Sequence, residues 1–348
     1  MSVRILRERL VLRIRHVLLD PGRAVLAVVV ALTIVAGAIV FWPRASDRGG
    51  QGQSGEAPSG PRDDINLQST VAVPATNASG ATSPFNASAW NLPDDDLLGF
   101  TEISAGTFTM GSDKSKDREA YDNELPDHPV TLPAFFMARY EVTVGQYKVC
   151  VNDGICRPGD RTALSGRDDL PVVYVSWHEA VAYCGWLELK LKSWSGAPSR
   201  LAGALGGRRD GRAWHITLPS EAEWERAARG VDGRIFPWGE SIDPTKANYT
   251  AAKRGGPTPV GAFPGGASPD GLLDMSGNVS EWTRSLFEPY PYRSDDGREN
   301  LKAGDGVPRV VRGGSFQNTA GNVRAVSRFR ADPTNRSDFI GFRVVVSR

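Results

Sequence analysis

Three cysteines and four histidines are the only thiol and imidazole groups in the 348-residue chain, so thiol or soft-metal chemistry has to be built from them. Cys150 and Cys156 sit close together in Val149-Cys-Val-Asn-Asp-Gly-Ile-Cys156. In an oxidising compartment that spacing predicts a short disulfide loop around Asp153 and Gly154. Two thiols alone make a poor metal site, and Cys184 is then expected to be an unpaired, buried thiol. His128, His178 and His215 fall in separate segments without a His-x-x-x-His spacing and read as structural residues. Ser315 has no His-Asp pair near it in sequence, so no serine nucleophile is indicated and no catalytic residue is assigned. The stretch richest in interacting groups is 314–343, which offers Ser315, Phe316, Gln317, Asn318, Asn322, Arg324, Arg328, Arg330, Asn335, Arg336, Asp338 and Phe339. Guanidinium, amide and aromatic groups in that mixture suit hydrogen bonding and stacking against a protein or a small ligand.

The elements that must position these groups are legible from their caps. Thr143-Val-Gly-Gln146, Ser176-Trp-His-Glu179 and Ser220-Glu-Ala-Glu223 each place a Glu or Gln three residues after a hydroxyl residue. Such a capping box satisfies two otherwise orphaned backbone amides and predicts a helix start. The third helix is expected to end at Gly230. Strands are predicted at 107–110, 129–132, 135–142, 309–312 and 340–346, and the Gly-, Ala- and Arg-rich stretch 193–212 reads as a surface insertion.

The N-terminal quarter has a different character. Residues 24–42 are apolar and uncharged; 19 residues span roughly 28 Å as a helix, enough to cross a hydrocarbon core. Arginines 4, 7, 9, 13, 15 and 23 precede the run, which places residues 1–23 in the cytoplasm and everything after residue 43 on the far side. The reading is a single-pass membrane protein with an extracytoplasmic, periplasmic or extracellular C-terminal part. Residues 43–96 are crowded with Gly, Ser, Pro and Ala and read as a flexible, disordered linker of roughly 40 Å reach. The globular part is then 97–348. Its charge balance argues against nucleic acid, because 41 Lys and Arg offset 40 Asp and Glu in the chain.

Several stretches in order resemble the sulfatase-modifying-factor family, the domain of formylglycine-generating enzymes. They include Ile103-Ser-Ala-Gly-Thr-Phe-Thr-Met-Gly-Ser112, Tyr140-Glu-Val-Thr143, Leu218-Pro-Ser-Glu-Ala-Glu-Trp-Glu225, Asp274-Met-Ser-Gly-Asn-Val-Ser-Glu-Trp282, Arg312-Gly-Gly-Ser315 and Gly341-Phe-Arg343. The resemblance implies an α+β class, an irregular mixed fold related to C-type lectins. It also implies a copper-binding cysteine pair shortly after the Gly-Gly-Ser motif, yet no cysteine follows Cys184 and Asn318 stands about where the first would lie. Copper is therefore not expected, since neither Asn nor Val holds Cu(I) as a thiolate does. A structural calcium site is implied at Gly277, Asn278, Val279 and Glu281, whose oxygen donors suit a hard cation. A second family site near Asn248 lacks its later acidic ligand around 252–254. The function this implies is a membrane-anchored binding or scaffold module, a pseudoenzyme with respect to formylglycine. An oxidative maturation enzyme of altered chemistry is the alternative. A third reading follows from 314–343, which also resembles the variable face of retroelement-diversified lectin-fold binding proteins.

Overall fold

The computed structural model describes residues 90–209 and 212–348. The basic segment 1–23, the apolar run 24–42 and linker residues 43–89 lie outside the described residues. Among the described residues, no helix is long and apolar enough to cross a membrane.

Among the described residues, twelve short strands and four helices alternate with long turns. In order they are β1 (Phe100–Ile103), β2 (Gly106–Met110), β3 (His128–Leu132), β4 (Phe135–Ala138), α1 (Val144–Asn152), α2 (Trp177–Ser193) and α3 (Ser199–Gly206). Then come β5 (Arg208–Arg209), β6 (Arg212–Ala213), β7 (His215–Thr217), α4 (Glu221–Arg229), β8 (Ser280–Leu286) and β9 (Arg309–Arg312). The chain closes with β10 (Arg328–Ala331), β11 (Ile340–Gly341) and β12 (Val345–Ser347). One four-stranded sheet runs β1-β4-β12-β7 and a second runs β10-β9-β8-β11, while β2-β3 and β5-β6 form two-stranded ribbons. The last segment stitches the two sheets together. Its β11 pairs in parallel with β8, and β12 pairs antiparallel with β4 and β7. The single strand expected over 340–346 is thus split in two. Between the halves, the Phe342 and Val344 carbonyls accept from the Val142 and Ala138 amides. The strand expected over 135–142 likewise stops at Ala138, where the chain turns away from the sheet.

All three predicted caps form. Thr143 Oγ1 accepts from the Gln146 amide at 3.2 Å and Gln146 Oε1 accepts from the Thr143 amide at 3.0 Å. Ser176 with Glu179, and Ser220 with Glu223, close the same reciprocal pair at the starts of α2 and α4. Each such cap contributes about 1 kcal/mol. Gly230 ends α4 at φ +70°, a conformation that favours glycine.

Two sequence expectations change. The linker does not extend to residue 96: Trp90 is buried, packs edge-on against Trp194 at a centroid distance of 5.2 Å, and Leu92 is buried behind it. Large apolar surface at the end of a polar stretch docks when a complementary face is within reach. The 193–212 stretch is not a bare surface insertion either. It contains α3, whose Leu201 and Leu205, four residues apart, are buried on the larger core cluster. That cluster gathers α1, α2 and the β1-β4-β12-β7 sheet, while α4 packs with β2 and β3 in a second one.

Candidate functional site

Beyond β9 the backbone makes a turn that only glycine permits. Gly313 has φ +89° and Gly314 φ +66°, and a Cβ on Gly314 would lie 2.5 Å from the Asn322 carbonyl oxygen. This leads into a tightly bonded turn. The Ser315 amide and hydroxyl donate to Asn318 Oδ1 at 2.8 and 3.0 Å, and the Phe316 amide donates to the Asn278 carbonyl at 2.9 Å. The Asn318 carbonyl accepts from the Thr250 amide and hydroxyl at 3.0 and 2.7 Å. Asn318 therefore works as a turn-former, and Val323 is fully buried against Phe236, Ala247 and Tyr249. The expected position of a thiol pair holds a carboxamide bonded to its own turn.

The turn presents Phe316 to a groove of about 310 Å³ that Asp338 also lines. Its other walls come from 162–174, with Ala163, Leu170, Pro171, Val173 and Tyr174, and from Gly255, Gly256 and Pro257. Gln317 Nε2 donates to Asp338 Oδ2 at 3.2 Å, which holds a carboxylate at the rim of an otherwise largely apolar trough. Tyr174 takes φ +58°, unusual for a bulky residue, and its amide donates to the Ser337 carbonyl at 2.9 Å. Sequence reasoning missed these walls, since nothing in 162–174 or 255–257 carries a chemical signature apart from the Pro and Gly that shape loops.

The twelve residues expected on this face do not share it. Phe316, Gln317 and Asp338 stay together, while Phe339 packs partly buried against the larger core and Ser315, Arg324 and Arg328 are buried. Arg324 forms a two-pronged pair with Glu124 at 2.8 and 2.9 Å and reaches Asp117. Arg328 does the same with Glu221 at 2.7 and 2.7 Å. Asn322 accepts from the Tyr121 hydroxyl at 2.7 Å, Asn335 accepts from Ser337, and Arg330 lies over the Phe287 ring. Arg336 turns to a separate hollow beside Glu179. Burial alone would raise the Glu179 carboxyl, but bonds from Arg336, the Ser176 amide and the Gly159 amide hold it below the ordinary range.

The implied calcium residues have other partners. Both Glu281 oxygens are fully buried and accept from Arg343 at 2.7 Å each, and Oε2 also accepts from Trp224 Nε1 at 2.8 Å. Asn278 Oδ1 accepts from the Thr258 amide and hydroxyl at 2.9 and 3.2 Å and from Asn248 Nδ2 at 3.3 Å, while its Nδ2 donates to Glu141. The side-chain oxygens of Asn278 and Glu281, expected with Gly277 and Val279 to hold calcium, are thus engaged by protein donors. Among the described residues, no group of three or more His, Cys, Asp or Glu is arranged to hold a metal ion.

A buried acidic cluster lies beside Asn278. Burial first, then the neighbouring Asp274 charge, push the Glu141 carboxyl well above its usual range. Burial likewise lifts Asp274 to about 6 despite the Gly261 amide that donates to it at 2.6 Å. The cysteines and histidines are structural in position. Cys150 and Cys156 are joined in a disulfide, and Cys184 is free and buried, its thiol pushed far up by that burial. His128 Nε2 accepts from the Tyr292 amide at 2.7 Å, so Nδ1 donates to the Pro126 carbonyl at 2.9 Å. His178 and His215 each face a carboxylate, Asp305 and Glu188.

Short strands in two small sheets, long ordered turns and a chain end that returns to the centre define a C-type-lectin-like α+β domain. The profile described as "Sulfatase-modifying factor enzyme 1-like domain" matches residues 93–348, and the chain belongs to that family. Over 281 residues it is 31% identical to hercynine oxygenase of Mycolicibacterium thermoresistibile, covering 68% of this chain and 56% of that protein. It is 27% identical over 310 residues to the formylglycine-generating enzyme of Mus musculus, covering 71% and 74%. The solved structure of PvdO from Pseudomonas aeruginosa matches with a TM-score of 0.56 at 25% identity, over 72% of this chain and 94% of that one. The match thus spans little more than half of the hercynine oxygenase.

Proposed function

We propose that this chain is a membrane-tethered, extracytoplasmic binding module of the sulfatase-modifying-factor family that does not generate formylglycine. The observation that carries this reading is the turn at 313–318. Where the family's copper-binding thiols are expected, Asn318 is bonded to Ser315, and Val323 is packed in an apolar cluster. The other thiols of the chain are a disulfide and a buried Cys184 whose burial disfavours the thiolate. What the fold keeps is the groove next to that turn. Phe316 and its aliphatic walls suit a side chain of a bound partner, and Asp338 at the rim favours a donor or a cation beside it. An oxidative enzyme of altered chemistry is the second reading, supported by the names of relatives such as the hercynine oxygenase.

The test is to incubate the detergent-solubilised full chain with Cu(I) and a peptide carrying a sulfatase-type cysteine, with an active formylglycine-generating enzyme as control. Peptide of unchanged mass is expected. Conversion of its cysteine to the aldehyde would overturn the proposal.

A further inference from the structure

The loop after Tyr249 reads Thr250-Ala-Ala-Lys-Arg-Gly-Gly-Pro257, two adjacent cations followed by two glycines and a proline. Thr250 fastens its start to the Asn318 carbonyl, and the Gly256 carbonyl near its end accepts from Asn248 Nδ2 at 3.0 Å. Between these anchors φ is +54° at Lys253 and +74° at Gly255, while Arg254 and Gly256 stay outside the positive region. Alternating the sign of φ turns successive N–H groups toward one side of the chain and makes a concavity that attracts anions. The amides of Arg254, Gly255 and Gly256 have no hydrogen-bond partner among the described residues. Lys253 and Arg254 are exposed and stand in no ion pair there, and the Arg254 guanidinium rests over the Phe263 ring at 5.8 Å.

Gly255 and Gly256 are also walls of the groove that Phe316 and Asp338 line. The loop therefore sets an electropositive rim on an apolar trough whose one charged lining residue is Asp338. The carboxylates carried by the 162–174 wall do not neutralise that rim, because Asp168 is paired with Lys148 at 2.7 Å and Asp169 with Arg167. A ligand matched to the groove needs an apolar group for the trough, an anion for the loop and an N–H for Asp338. The last residue of a peptide carries all three in its side chain, its carboxylate and its own amide. A phosphate ester offers no N–H, and its second negative charge would face Asp338. We propose that the groove captures the C-terminal residue of a partner polypeptide, its carboxylate held by the Arg254, Gly255 and Gly256 amides and by the charges of Lys253 and Arg254. This rests on the groove of the proposed function and names what that groove holds.

The experiment uses ligand-observed NMR on the detergent-solubilised full chain with two pools of N-acetylated tetrapeptides. Their last residue is varied over the aliphatic and aromatic types, and one pool ends in free acids, the other in C-terminal amides. The acids are expected to bind at least about tenfold more tightly, since hydrogen bonds to a charged group are worth that much or more. Gly256→Pro deletes one of the three donors and should narrow the acid-over-amide ratio. Lys253→Gln combined with Arg254→Gln, at exposed positions that leave the fold intact, should narrow it as well. Acids that bind no tighter than amides overturn this inference and leave the groove reading in place. A ratio that survives both Gly256→Pro and the charge variant overturns it too. Binding of neither pool overturns the inference and takes the groove reading with it.

Discussion

At the scale of single residues, the interior carries more charge than the sequence suggested. Arg312, Arg324, Arg328 and Arg343 are each buried and each paired with a Glu: Glu225, Glu124, Glu221 and Glu281. Removing one member of such a pair leaves the other charge stranded and costs roughly 3–5 kcal/mol. The Glu141–Asp274 pair is the exception, since neither group has a guanidinium of its own. The sign of its pH dependence follows directly. Folded-state pKa values raised above the unfolded values mean that the folded protein holds protons the unfolded chain has lost, so stability is lost as pH rises. For Asp274 the window runs from the unfolded value of about 4 to the folded value of about 6. Glu141→Gln replaces the costly acid with an amide that can still accept from Asn278. Its melting temperature should match that of the parent chain at about pH 4 and exceed it increasingly as pH rises above the ordinary carboxylate range, because the Glu141 carboxyl is held well above that range by burial and by Asp274. A melting-temperature gain that is constant with pH would show that Glu141 does not titrate in this way.

At the scale of elements, the decisive unit is the turn between β9 and the groove. Its two left-handed glycines allow Phe316 to reach the groove while Ser315 stays inside. Gly314→Ala should cost about 2–4 kcal/mol, combining the left-handed backbone penalty with a shift away from the Asn322 carbonyl. The comparison is Gly154→Ala in the disulfide loop, with φ +75° and open space around a Cβ, which should cost only about 1 kcal/mol. Denaturant melts of the two variants check this, and equal losses would mean that the contact with Asn322 is irrelevant. The helix caps were legible because a hydroxyl residue and a Glu or Gln three positions later act through local backbone geometry alone. The groove walls were not legible, because residues 162–174 meet residues 316 and 338 only after α1 and the 335–339 loop are in place.

At the scale of the whole molecule, the packed domain already includes Trp90 and Leu92, ahead of residue 97, and the apolar run 24–42 is read as a membrane anchor from its length and flanking arginines alone. If that run anchors the chain, the full-length protein should stay in the membrane pellet through an alkaline carbonate wash and leave only with detergent. Release by carbonate would remove the anchor from the proposed function.

The sequence by itself determined where the three capped helices start, the order of motifs that marks the family, the Cys150–Cys156 pairing and the lack of a thiol pair after Cys184. Each of these depends on residue type or on neighbours within a few positions. Only the tertiary structure decided which arginines face solvent. Arg324 and Arg336 look alike in sequence, yet one is enclosed by Glu124 and Asp117 and the other lies at the surface beside Glu179. It also decided that Glu281 holds Arg343, and that Glu141 and Tyr183 share one cavity. Those partners lie 62 and 42 positions apart in the chain. Burial and long-range charge pairing act on such distances only when the fold has closed.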